Sequence, residues 1–227
     1  MLIIGHRGAK GLAPENTLAS LQSALDAHAA MIEIDVRVTR DGTPVLHHNK
    51  KLRTSEGKKL AISKTNYTDL QLAKSDLLTL EAALQFIDRR IDVIIEVKPG
   101  QSVDAIANCI EPRIMKKWIE SDFMFASFDF KILQELHRRF PKIPIAVNEK
   151  WSGVRASHRA RKLGTKRLIM NERYLWSGFV SSMNRRGYKL TAYTINNPKR
   201  AWYLEKHGLY GCITDHPQKF IKNYRIS

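Results

Sequence analysis

Aliphatic and polar residues alternate through Met31-Ile-Glu-Ile-Asp-Val-Arg-Val38, the period of two expected of an extended chain. Glu33 and Asp35 therefore share one face of a strand over residues 31–38, about 6.5–7 Å apart along it. A similar stretch, 91–98, ends with Glu96 and Lys98 on one face. Shorter apolar runs predict strands at 2–5, 123–127, 143–147, 166–170, 189–195 and 211–214, with the second carboxylate strand at 92–97. Helical spacing fills the gaps. Leu18, Leu21 and Leu25 open an amphipathic helix reaching about Ala30, with Asn16 or Thr17 to cap it. Further helices are expected at 79–87, capped by Thr79, and at 102–120, 129–139, 153–163, 176–186 and 198–207, then in the C-terminal tail.

Eight strands alternating with helices require a parallel sheet covered by helices. In a chain of 227 residues that count predicts a (β/α)8 barrel, the TIM barrel, as one domain spanning 1–227. The first strand is followed by no glycine-rich nucleotide fingerprint, which disfavours a doubly wound sheet. Asp41-Gly42 signals a tight turn, and Pro44 to His48 return from it as a second arm. Residues 49–78 break the rhythm. They are polar, carry Lys50, Lys51, Lys58, Lys59 and Lys64, and read as a small inserted segment with one short helix at 67–73.

Apolar residues make up 43% of the chain, enough for a packed core. No apolar run reaches 18 residues, and the N-terminus lacks the pattern of a signal peptide, so a cytoplasmic location is expected. Cys109 and Cys212 stand far apart in apolar surroundings and read as small hydrophobes. Charge changes the picture more. Thirty-eight Lys and Arg against 22 acidic residues leave +16, which suits anionic partners: a phosphorylated substrate or the anionic face of a membrane. The densest basic run, 155–167, has no interleaved aromatic residues and no nucleic-acid motif, so nucleic acid is not the expected partner.

Active sites of such barrels lie at the C-terminal ends of the strands. His6 and Arg7 follow the first predicted strand, Glu33 and Asp35 lie toward the end of the second, Glu96 and Lys98 end the third, and Asn196 follows the seventh. The unusual polar residues thus gather on one rim. Clustered carboxylates between apolar neighbours are costly unless a cation sits among them. Three of them suit a hard divalent ion such as Mg2+ or Ca2+. Each has a plainer reading as well: surface ion pairs for the carboxylates, helix capping for Glu15 and Asn16, and core or rim packing for Tyr193, Trp151 and Trp176.

The same residues carry a family resemblance. Gly5-His-Arg-Gly8, Ala13-Pro-Glu-Asn-Thr17, Glu33-x-Asp35, Asp41-Gly-x-Pro-Val45, His48, Leu52-Arg-Thr54, Thr79-Leu-Glu81 and Glu96-x-Lys98 resemble the glycerophosphodiester phosphodiesterases. So do Ser127-Phe128, Tyr193-Thr-Ile-Asn196 and Gly211-Cys-Ile-Thr-Asp215, in consistent order from residue 3 to about 217. The resemblance implies a barrel that hydrolyses glycerophosphodiesters to sn-glycerol 3-phosphate and an alcohol with one divalent metal ion. It implies His6 and His48 as the acid–base pair and Glu33, Asp35 and Glu96 as metal ligands. Arg7 and Lys98 would contact the phosphate, with Glu15, Tyr193 and Asn196 as further substrate contacts. The excursion after His48 corresponds to the family's small segment over the site. One departure is Asn49, where the family usually has Asp. Lysophospholipids are an alternative substrate class, and a silent phosphate-ester or membrane-binding barrel is the alternative from outside enzymology.

Overall fold

The computed structural model describes residues 1–224. The chain runs β1 (Leu2–His6), α1 (Leu18–Asp26), β2 (Met31–Val38), β3 (Pro44–Leu46), β4 (Lys51–Arg53), β5 (Lys59–Ala61), α2 (Tyr67–Ala73), α3 (Leu80–Ile87) and β6 (Asp92–Val97). It continues with α4 (Val103–Lys116), β7 (Phe123–Ser127), α5 (Phe130–Arg139), β8 (Ile145–Glu149), α6 (Gly153–Lys162), β9 (Arg167–Asn171), α7 (Ser177–Arg185), β10 (Lys189–Tyr193), α8 (Pro198–Glu205), β11 (Gly211–Thr214) and α9 (Pro217–Tyr224).

Eight of these strands pair in parallel, in the order β1, β2, β6, β7, β8, β9, β10 and β11, and β11 pairs back onto β1. The sheet is closed, a (β/α)8 barrel. Strand β3 lies antiparallel on β2 past the tight turn at Gly42. Closure follows from the patterning. Ile32, Ile34 and Val36 face outward and are fully buried under the helices, each withdrawal from water stabilising by roughly 1.5–3 kcal/mol. The inner face carries a separate apolar layer of Ile4, Ile94, Met124, Ala126, Ala146, Ile169 and Ile213, with Met31 packed against it. Glu33 and Asp35 lie one and two pleats further up β2, so polar side chains form the layer above.

Residues 49–78 hold the β4–β5 hairpin and α2, packed on a small core of Val45, Leu52, Ile62, Leu70 and Leu77. Some boundaries differ from the expected ones. Helix α4 stops at Lys116 rather than 120, because the chain turns there to stack Trp118 on Phe123 at 4.8 Å. Strand β8 begins two residues later than expected and ends on Glu149, whose buried carboxylate is held by Arg155 at 2.5 and 2.6 Å. Strand β10 stops at Tyr193, not 195. Helix α1 ends at Asp26, four residues short of the expected end, and is capped by Thr17 rather than Asn16. Among the described residues no helix is long and apolar enough to cross a membrane.

Candidate active site

Register does most of the assembly. His6 stands beside Glu33 across β1–β2, and Asp35 stands beside Glu96 across β2–β6. Neighbouring strands lie about 4.8 Å apart, so these side chains meet on the inner face at the C-terminal end. The turn after β1 is tight. A Cβ on Gly5 would lie 2.5 Å from the Gly8 carbonyl oxygen, and Gly8 itself has φ +80° against Ser20. Between them Arg7 sits in the left-handed region at φ 52°, a conformation that costs a non-glycine residue about 1–2 kcal/mol. The return is geometric: the Arg7 N–H donates to Glu33 Oε2 at 3.0 Å, and its side chain turns back over the carboxylates.

Glu33, Asp35 and Glu96 each bring an oxygen within 4.8 Å of the others. Glu33 and Asp35 are buried and Glu96 nearly so. Lys98 Nζ bridges Asp35 and Glu96. Arg7 Nε lies 3.0 Å from Asp35 Oδ2, and its Nη1 donates to Glu15 at 2.7 Å. Asn16 Nδ2 donates to Asp35 Oδ2 at 3.1 Å, and Asn148 Nδ2 to Glu96 Oε2 at 3.0 Å. Three carboxylates against two cations leave one buried negative charge uncompensated.

That imbalance shows in the acidities. Burial pushes Glu33 well above the usual carboxylate range, and repulsion from Asp35 and Glu96 pushes the same way. Burial also raises Glu96, despite Lys98. Burial would raise Asp35 too, but Lys98 and Arg7 outweigh it and hold the group at about 2. A carboxylate pushed toward protonation by its like-charged neighbours is one that gains from an added cation. The donor set, oxygen only and convergent, fits a hard divalent ion.

The two histidines flank this cluster. His6 Nδ1 lies 2.6 Å from Asp215 Oδ1, with Thr194 Oγ1 at 3.4 Å. Asn196 Nδ2 donates to the other Asp215 oxygen at 2.8 Å. Burial lowers the His6 pKa, with Arg7 and Lys10 acting in the same direction and Asp215 opposing. His48 Nδ1 meets the Asn49 side-chain oxygen at 3.2 Å, and the His48 carbonyl accepts from Arg37 Nε and Nη2 at 3.0 and 2.8 Å. Burial lowers the His48 pKa as well, with Asp35 opposing. His47 Nδ1 lies against the Asn49 carbonyl at 2.9 Å.

Of the residues singled out in the sequence, His6, Glu33, Glu96 and Tyr193 line one cleft, together with Asn148. Arg7, Asp35 and Lys98 join them through direct ion pairs. Glu15 reaches the group through Arg7, and Asn196 through Asp215. Tyr193 is half-buried, edge-on to Phe128 with ring centres 6.2 Å apart, and burial pushes its phenol up to about 12. Sequence reasoning gave no role to Asp215 or Asn148, and left Asn16 between helix capping and a direct part in the site. Asp215 did carry a signal: it directly follows the last barrel strand, the same rim position that singled out His6 and Lys98. Asn148 carried it too, directly following the strand expected at 143–147, whereas Asn16 reads equally well as a helix cap.

The model of the "Glycerophosphoryl diester phosphodiesterase family" matches residues 6–219. YhdW of Bacillus subtilis is 30% identical over 98% of this chain and 98% of its own length. The glycerophosphodiester phosphodiesterase of Caldanaerobacter subterraneus is 27% identical, covering 99% of this chain and 98% of that one. Among solved structures, a phosphodiesterase of Oleispira antarctica in complex with the product sn-glycerol-3-phosphate superposes with a TM-score of 0.87 at 27% identity. That alignment covers 99% of this chain and 97% of the other.

Proposed function

The chain belongs to the glycerophosphoryl diester phosphodiesterase family and is a phosphodiesterase, and we propose that it releases sn-glycerol 3-phosphate and an alcohol from glycerophosphodiesters. The observation that carries this reading is the convergence of two histidines, three carboxylates, Arg7 and Lys98 on one end of the barrel. The product bound to the Oleispira antarctica relative supports the substrate class.

A phosphodiester carries one negative charge and a poor alkoxide leaving group, so hydrolysis needs charge stabilisation, a base and an acid. Glu33, Asp35 and Glu96 would hold one Mg2+ or Ca2+, which when bound offsets charge on the phosphoryl oxygens. Arg7 and Lys98, already seated among the carboxylates, supply cationic donors to the same region. His6 and His48 move the protons. Each has Nδ1 occupied by an oxygen partner, which leaves Nε2 as the nitrogen available to substrate. Asp215 does more than orient: its carboxylate stabilises the His6 imidazolium once a proton has arrived. Asn196, donating to Asp215, keeps that carboxylate turned toward His6.

The test is release of glycerol 3-phosphate from glycerophosphocholine, glycerophosphoethanolamine and glycerophosphoglycerol with Mg2+, with Ca2+ and with a chelator. Release that the chelator abolishes supports the reaction and the metal together. No release from any of the three, with either ion, would overturn the substrate class.

A further inference from the structure

The C-terminal face of the barrel carries features that the reaction does not use. The loops after β8 and β9 expose Trp151 at 55% and Trp176 at 66% of their surface, and the first turn of α6 exposes Val154 at 85%. These are large apolar groups. A Cβ on Gly153 would meet the Phe179 ring at 2.4 Å, so the starts of α6 and α7 abut and the loops that lead into them are neighbours. The Trp176 ring lies against Gly178. Lys150 Nζ and the Arg155 guanidinium each sit 5.5 Å from the centre of the Trp151 ring.

Across the mouth of the barrel stands the opposite kind of surface. Strand β9 is four places from β2 in either direction around the closed sheet. The segment that follows β2 exposes Lys50, Lys51, Arg53, Lys58 and Lys59, with Glu56 the one acidic residue among positions 50–59. One end of the molecule therefore presents exposed aromatic groups with Lys150 and Arg155 on one side, a net positive stretch on the other, and the site between them. Tryptophan prefers the boundary of a bilayer, where its ring is apolar and its N–H remains wet. Lysines near a surface are drawn to anionic lipid.

We propose that this face docks on an anionic lipid bilayer, with Trp151 and Trp176 as anchors and the lysines of residues 50–59 as the electrostatic contact. Docked this way, the chain would hold the mouth of its site against the lipid surface.

The experiment is co-sedimentation of the full chain with phosphatidylcholine vesicles and with three-to-one phosphatidylcholine–phosphatidylglycerol vesicles, at low and high salt. Binding is read without turnover, so its outcome is independent of the substrate assigned above. The expected result is pelleting with the anionic vesicles alone, weakened by salt. Trp151→Ala with Trp176→Ala should cut the bound fraction about tenfold, as loss of two interfacial rings requires, while turnover of a water-soluble diester stays within about twofold. No pelleting with anionic vesicles would overturn the proposal, as would equal pelleting with neutral ones. Binding unchanged in the double variant would overturn it too, as would displacement from vesicles by a single-stranded oligonucleotide bound more tightly.

Discussion

His6 and His48 both have Nδ1 tied to an oxygen, but the two oxygens belong to different chemistry. The His6 partner is a carboxylate, Asp215, which is held in turn by Asn196 at 2.8 Å and approached by Lys10 at 3.7 Å. Burial would raise Asp215, yet its hydrogen bonds to His6 and Asn196 bring it down to about 2. The His48 partner is the neutral amide of its own sequence neighbour, Asn49. His6 also ends a strand of the closed sheet, whereas His48 lies between β3 and the inserted hairpin and is anchored through its carbonyl by Arg37. A carboxylate orients an imidazole and strongly stabilises its charged form, while a neutral amide oxygen orients it and favours that form less. The two halves of the acid–base pair are therefore unequal by construction.

Removing either imidazole should have the largest effect. His6→Ala and His48→Ala should each lower kcat/KM for a glycerophosphodiester about a thousandfold, with the circular dichroism spectrum unchanged. Equal activity in either variant would remove that histidine from the chemistry. The shared acidic cluster comes next. Glu33→Gln should weaken the activating metal about a hundredfold in a titration of rate against Mg2+ or Ca2+, since a charged oxygen donor becomes a neutral one.

Asp215→Asn sharpens the comparison directly, by giving His6 the kind of partner His48 already has. The rate should fall about thirtyfold. The loss removes an influence that raises the His6 pKa, so the limb of the pH–rate profile belonging to His6 should move to lower pH. The reverse substitution is Asn49→Asp. It adds a carboxylate beside His48 and should move the other limb to higher pH, with a rate change of about threefold at most. Two limbs moving in opposite directions would confirm the asymmetry, and two moving together would break it. The smallest effect is on stability. Asp215 has a folded-state pKa of about 2 against an ordinary 3.8, so its contribution is complete above the ordinary value and is lost as pH falls toward 2. Acid unfolding followed by tryptophan fluorescence should therefore be less steep over that window in Asp215→Asn.

The carboxylate strands were legible because their inner and outer faces differ at every step. Ile32, Ile34 and Val36 had to turn toward the helices, and Glu33 and Asp35 then had to face the barrel interior. Lys98 was legible for the same reason. Its bridging of Asp35 and Glu96 was not, since that depends on the register of β2 against β6. The basic composition was plain from the start, but its arrangement opposite Trp151 and Trp176 required the order of strands around the barrel.

What the amino-acid sequence by itself determined is the alternation of eight strands with helices and the face on which each side chain lies. Hydrophobic periodicity is local, and those properties are local too. Only the tertiary structure decided which groups touch. Asp215 stands 209 residues from His6, and they meet because β11 pairs with β1 to close the barrel. Asn16 could cap a helix or hold a carboxylate; it holds Asp35, since Thr17 caps α1 and the turn after β1 carries Asn16 over β2. The pattern along a chain says which way a side chain points, whereas its neighbour across the barrel is set by closure and register, which no local stretch encodes.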